Sequence, residues 1–200
     1  MFLRLNCVLS VVGCLLVSTL FAADLRPDDT IESAVAMLAK AADAQDNGAT
    51  HDRQASVDLI NDFLIQYADI QGASRIILSN RWKTTTIDDR IRFTEAFHNH
   101  VSKLLIDLVA SLDFDTLSME PFEGDLEELP VKVRLIVRRS AGEVLSVDFL
   151  MHDKDGSWRI LDVIVEGVSN LRHYRTEFRL DINENGLEQV IERFVQESSL

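Results

Sequence analysis

The side chains in this 200-residue chain that could do chemistry are few histidines, two aspartates in strand-like segments and a scatter of arginines. Glu95 and His98 stand at i, i+3, the spacing that carboxylate-bridged metal sites use on a helix. Such sites need a second equivalent pair from another helix, and none is visible, so a solvated helix face is the simpler reading. His100 with Glu95 or Asp107 could form a base and its orienting acid. The apolar stripe through Phe97, Val101 and Leu104 is nevertheless expected to turn His98 and His100 outward to the surface. Asp148 and Asp162 interrupt strands, where aspartate is disfavoured unless half exposed or hydrogen-bonded. Either could act as a general acid or base, but no second polar group converges on them, which favours a structural role. Arg81, Lys83, Arg172 and Arg175 read as surface cations that would meet an anionic head group only if a pocket opened beside them. A glycine-rich phosphate loop, Cys-x-x-Cys, His-Glu-x-x-His and Gly-x-Ser-x-Gly are all missing from the sequence, so no catalytic residue, metal or cofactor is expected.

Composition narrows the class further. The chain carries 33 Asp and Glu against 20 Lys and Arg, a net charge of −13, which repels nucleic-acid phosphates and anionic bilayers. At 46% hydrophobic it can build one ordinary domain. Residues 1–23 read as a secretory leader: Arg4, an apolar run from Val8 to Phe21, then Ala22 and Ala23 before Asp24. A retained membrane anchor fits less well because of the abrupt change to Asp24, Asp28 and Asp29. A lipoprotein box at Val11-Val12-Gly13-Cys14 would leave Leu15-Leu16-Val17 where a polar tether belongs. Cleavage removes both cysteines, Cys7 and Cys14, so the remaining domain, residues 24–200, is expected to be held by burial without a disulfide.

The elements that position these residues come in blocks. Asp28-Asp29-Thr30 opens a helix with Ile31, Val35 and Leu38 at helical spacing, and residues 45–50 form a turn. Val57, Ile60, Phe63, Leu64 and Tyr67 mark a second helix. Ile70 to Trp82 is a short third, with Ile76, Ile77 and Trp82 inward. Asp88-Asp89 starts the longest, carrying Ile91, Phe93, Phe97, Val101, Leu104, Leu105, Leu108 and Leu112. Beyond Pro121 and the acidic run Glu123 to Glu128 the period drops to two. Val131 to Arg138, Leu145 to Met151 and Trp158 to Val165 predict an antiparallel meander turning at Asp155-Gly156, joined by a shorter strand near Thr116 to Met119. Helices near 170–180 and 186–195 close the chain. Helices, then strands, then helices indicate an α+β fold with helices packed on a curved antiparallel sheet. A broadly apolar helix facing such a sheet can be packed solid or can enclose a cavity, and periodicity does not separate the two.

Particular residues then carry a resemblance. Ser74-Arg75-Ile76-Ile77-Leu78-Ser79-Asn80-Arg81-Trp82 and Asp89-Arg90-Ile91-Arg92-Phe93 resemble the Arg-x-x-Leu-Gly-x-x-Trp and Gln-Arg-x-x-Phe segments of MlaC-like, or toluene-tolerance type, proteins. Val147-Asp148-Phe149, Lys154 to Ile160, Asp162 to Ser169, Tyr174-Arg175-x-x-Phe178 and Gly186-Leu187 follow that family's order. The run Glu166-Gly167-Val168-Ser169 is the most specific part. Ser79 stands where the family usually has Gly, Asp89 where Gln or Glu is common, and a Thr-Tyr pair usual along the long helix is missing from Lys103 to Ser111.

The resemblance implies a periplasmic phospholipid carrier that is not an enzyme, with the lipid its bound ligand and an apolar lipid cavity inside the α+β fold. Its implied partners are an outer-membrane lipoprotein complex and an inner-membrane ABC transporter with a substrate-binding ring, between which it would shuttle lipid to maintain outer-membrane asymmetry. Burial of an acyl chain is worth ~0.8 kcal/mol per CH₂, so such a carrier must replace the bilayer interior. The expected lining is Phe97, Val101, Leu105 and Leu108 from the long helix, Val133, Leu135, Phe149, Val163 and Val165 from strands, and Val168 and Tyr174 closing it. Two other readings stay open: a secreted enzyme of the cone-shaped α+β kind using Asp148 or Asp162, with a hydrated pocket and a raised carboxylate pKa, and an adaptor with a filled core.

Overall fold

The computed structural model describes residues 26–46, 50–110 and 116–197, so the expected leader, the tip of the 45–50 turn and Leu112 lie outside the described residues. Helix α1 (Pro27–Asp46) opens on Pro27, whose missing N–H is not needed in a first turn, and Asp28 and Asp29 suit the positive end of the helix. It pairs with α2 (Thr50–Tyr67). A short link leads to α3 (Ile70–Leu78), capped by Asp69, whose carboxylate accepts the Gly72 N–H at 3.0 Å. A Cβ at Gly72 would collide with that carboxylate, so the cap needs a glycine there. A 3₁₀ turn (Ser79–Lys83) leads into the longest helix, α4 (Ile87–Ala110), which packs on α1, α2 and α3.

Strands β1 (Thr116–Met119), β2 (Val131–Arg138), β3 (Val144–Lys154), β4 (Ser157–Val165) and β5 (Val168–Ser169) form an antiparallel sheet in chain order. Asp155 and Gly156, both at positive φ, make the two-residue turn between β3 and β4, as their sequence predicts. Glu166 and Gly167 do the same between β4 and β5. Leu161 is an extra residue in β4, opposite the Leu150/Met151 step, and bends the sheet. Helix α5 (Asn170–Asn185) follows from a Ser169 cap and ends at Asn185, five residues beyond expectation, with Gly186 as its C-cap, and α6 (Leu187–Glu197) packs back on α4. The α+β architecture expected from the order of elements is the one observed.

The interior has two main parts. Ile31, Ala34, Phe63, Leu64 and Tyr67 of α1 and α2 bury Val131, Val133, Met151 and Ile160 of the sheet. Phe93, Phe97, Phe178, Ile182, Val190, Ile191 and Phe194 form an all-helical cluster of α3 to α6. Val101 and Ile70 touch both parts, so α4 and α3 join them.

Candidate functional site

Two-residue alternation sends every second strand residue to the helix side, and the pairing register groups these into rows. Val131, Met151 and Ile160 form the first row, and none exceeds 7% exposure. Val133, Phe149 and Val163 form the second, with Val133 buried and the other two half-buried. Met119, Leu135, Val147, Val165 and Val168 form the third, an apolar row across all five strands. Its Leu135 is buried, but exposure rises to 37% at Val165 and 64% at Val168. Leu117, Val137 and Leu145 add a half-buried fourth row. The face therefore opens progressively along the strands, away from α1 and α2.

Helix α4 supplies the other wall. Val101 and Leu105 pack against the sheet cluster, and Leu108, one turn beyond Leu105 on the same helix face, is 48% exposed. Leu104 beside it is 44% exposed. An apolar helix stripe and an apolar sheet face thus converge with their outer parts uncovered.

The two strand aspartates belong to the opposite, outer face. Asp148 accepts two hydrogen bonds from the Arg134 guanidinium, at 2.5 and 2.9 Å, with Lys132 at 3.6 Å. The Arg134 hydrogen bonds hold its carboxyl below the usual range. Asp162 accepts the Ser169 hydroxyl at 2.6 Å and the Leu171 N–H at 2.9 Å, and so fixes the start of α5 to β4. Both are bound up in structure, and neither faces the apolar rows.

The sequence model of the MlaC protein family matches residues 32–196, nearly the whole described chain. The chain belongs to the MlaC family. It is 19% identical over 70% of its length to the intermembrane phospholipid transport system binding protein MlaC of Haemophilus influenzae, covering 67% of that protein. It is 22% identical over 80% of its length to the toluene tolerance protein ttg2D of Pseudomonas putida, covering 74% of it. Its fold matches a phospholipid-binding protein from Ralstonia solanacearum, solved in complex with a phospholipid, with a TM-score of 0.71 over 86% of this chain and 97% of that one, at 17% identity.

The MlaC-like signature residues are turn and cap makers in this structure. Ser79, in place of the family's Gly, ends α3 at φ 52°, a left-handed conformation that glycine adopts without strain. In Glu166-Gly167-Val168-Ser169 the first two residues are the β4–β5 turn and the last caps α5, its hydroxyl accepting the Arg172 N–H at 3.0 Å. The Glu166 carboxylate accepts the Ser146 N–H across the adjoining strand.

Of the residues expected to line a cavity, Val101, Leu105, Val133, Phe149 and Val163 come together around one cluster. Leu135, Val165 and Val168 share the third row, and Leu108 lies at the uncovered part of the α4 stripe. Phe97 and Tyr174 are placed apart from these, in the helical cluster, edge to face at 5.4 Å. Leu117, Met119, Val137, Leu145 and Val147 lie on the same sheet face and were not singled out, although the alternation that marked their neighbours marks them equally. His98 and His100 depart from expectation, since both are half-buried. α4 is central, so the side away from its main stripe is also covered: His100 rests on Phe194 at 4.7 Å and edge-on to Tyr174 at 5.7 Å. Burial lowers the pKa of His98. Two surface concavities each touch one residue of the expected set, one of about 310 Å³ under the acidic loop from Glu120 to Glu128 that reaches Val133, and one of about 600 Å³ between α5 and α6 beside His100, Tyr174, Asp181 and Arg193.

Proposed function

We propose that this MlaC-family protein is a periplasmic phospholipid carrier, shuttling lipid between an outer-membrane lipoprotein complex and an inner-membrane ABC transporter complex. The observation that carries this is the apolar third row, buried at Leu135 but 37% exposed at Val165 and 64% at Val168, on the sheet face whose deeper rows pack against Val101 and Leu105 of α4. An acyl chain laid there exchanges water contact for apolar contact at ~0.8 kcal/mol per CH₂, and two chains bury more than one. The acyl chains lie between sheet and α4, lined by Val101, Leu105, Leu108, Val133, Leu135, Phe149, Val163, Val165 and Val168, with Phe97 and Tyr174 behind them. Among the described residues no helix is long and apolar enough to cross a membrane, which accords with a carrier that leaves each membrane it visits. The phospholipid in the Ralstonia structure and the name of the Haemophilus relative support the ligand class.

The protein acts by sequestration and not by bond chemistry. A cavity enzyme would need Asp148 or Asp162 facing the apolar rows with a raised pKa. Asp148 is instead held ionised by Arg134 on the outer face, and that reading is not favoured. Organic extraction of the purified protein followed by mass spectrometry tests the proposal. Co-purified phospholipid, or uptake from labelled vesicles after delipidation, is expected; failure of both would sink it.

A further inference from the structure

Carboxylates outnumber cations in this chain, yet residues 70–87 and 167–176 contain no Asp or Glu at all. The fold brings these two stretches together, because α3 packs on α5. Arg75, Arg81 and Lys83 come from the first stretch and the turn after it; Arg172 and Arg175 come from the second, and Arg179 lies one helical turn further on. Arg172, Arg175, Arg179 and Asn183 recur at helical spacing on one face of α5. That face is fixed against the end of α3: Arg175 donates to the Ser79 hydroxyl at 3.2 Å, and Arg81 donates to the Asn183 side-chain oxygen.

None of these six cations is in an ion pair among the described residues. Elsewhere most cations are paired, with Arg26 on Asp28, Arg92 on Glu188, Arg134 and Lys132 on Asp148, Arg139 on Glu143, Lys154 on Asp69 and Arg193 on Asp181, and those that are not, such as Lys40, Arg90, Arg138 and Arg159, are not gathered on one seam. The acids nearest on α5 turn to other work: Glu177 faces His173 and Asp181 faces Arg193. At the start of α4, Asp89 accepts from Thr86 and approaches Arg92. Five of the six seam cations are exposed and Arg81 is half-exposed.

We propose that this α3–α5 seam is a docking surface for an acidic patch on a partner protein. Five of the six are arginines, whose planar forks pair with carboxylates at two points, and two are held in place across the seam. A protein patch can end where the seam ends, and at a screening length of ~8 Å it feels little of the acidic surface beyond. A flat anionic bilayer would confront the excess of 13 negative charges as well. Ser169 caps α5 and follows directly on Val168, so a partner held at Arg172 sits beside the uncovered end of the apolar face. Only this last consequence rests on the carrier reading; the charge argument does not.

Fluorescence anisotropy with a labelled oligoglutamate peptide tests the assignment, with sedimentation of phosphatidylglycerol vesicles as a second arm. The full chain is expected to bind the peptide at low ionic strength. The variant K83Q/R172Q/R179Q, which removes no hydrogen bond described for a side chain, is expected to bind on the order of tenfold more weakly with an unchanged melting temperature. K40Q/R138Q, two exposed cations elsewhere, is expected to keep full affinity. Equal binding by the seam variant, or none by the wild-type chain, overturns the proposal. Vesicle binding that exceeds peptide binding and is lost in the seam variant overturns it in favour of a bilayer. Co-purified lipid is expected to be the same in wild type and seam variant, so a failed carrier reading and a failed docking surface are told apart.

Discussion

At one end of the inner sheet face Val131, Met151 and Ile160 are sealed beneath α1 and α2, whereas at the other Val147 and Val165, on the same β3 and β4, and Val168 on β5 are equally apolar with much less cover. Strand pattern does not distinguish the two ends, since both alternate and both are apolar. What differs is the reach of the helices. The sealed end is ordinary core, whose contacts serve folding. The uncovered end keeps apolar surface exposed to water in the unliganded chain, which lowers the stability it could have had and leaves that surface for a ligand.

The largest expected effect breaks the sealed end. Met151 is fully buried between α1, α2 and the sheet. Met151→Ala is expected to destabilise by about 2–5 kcal/mol in urea unfolding, because little around it can collapse into the space. Val147→Ala, one row into the open end, is expected to lose less than about 1 kcal/mol, as a half-buried side chain has less burial to forfeit. Equal losses at the two sites would show that the open end is core as well.

Much of this contrast was legible in the sequence, though unevenly. Alternation in Val131 to Arg138 and Leu145 to Met151, the Asp155-Gly156 turn and the helical spacing of Phe97, Val101 and Leu105 each express local backbone geometry, and the structure has them where expected. How far a helix covers a strand is set by long-range packing, which local spacing does not encode. Nothing near Met151 and Val147 marks one as sealed and the other as half-open. His100 was misplaced for the same reason: an apolar stripe on one side of α4 says nothing of α6 arriving on another, where Phe194 meets the ring. Asp162 showed as a polar anomaly in a strand, but its partner is the α5 cap that follows the β4–β5 turn, a match visible only once that turn has closed.

A smaller effect sharpens the comparison through charge. Asp69 lies next to the sealed end, its carboxylate 4% exposed and bound by Lys154 at 2.7 Å, His152 at 3.0 Å and the Gly72 N–H. Burial pushes its pKa up, but the Lys154 and Gly72 hydrogen bonds and the nearby charges outweigh this and hold it below the ordinary value. A carboxyl whose pKa is depressed on folding adds stability above its unfolded value, about 3.9, and that contribution is lost as pH falls through the lower folded value. Asp69→Ala is expected to cost about 2 kcal/mol at neutral pH, from a lost cap and lost charge-assisted bonds. The difference between wild type and variant should shrink as the pH is taken below about 4. Hydrogen exchange at α3 and β3 reads this out; a difference that stays constant down to acid pH would remove Asp69 from the forces sealing that end.

The smallest expected change in stability falls at the open end, where the change in ligand should be largest. Val165 is 37% exposed and pairs with Val147 and Val168 in the third row. A carboxylate there keeps access to water, so Val165→Asp is expected to shift unfolding by no more than about 1 kcal/mol. An acyl chain lying on the row would have to desolvate that charge, a penalty of several kcal/mol that it cannot recover from apolar contact. Phospholipid co-purifying with Val165→Asp is therefore expected to fall to near nothing while the fold persists. The Leu108→Gln change on the facing helix should act in the same direction and more weakly, because an uncharged amide is less costly to cover. If both variants keep a full complement of lipid, the ligand does not lie along the third row, and the reason that row is left uncovered must be sought elsewhere.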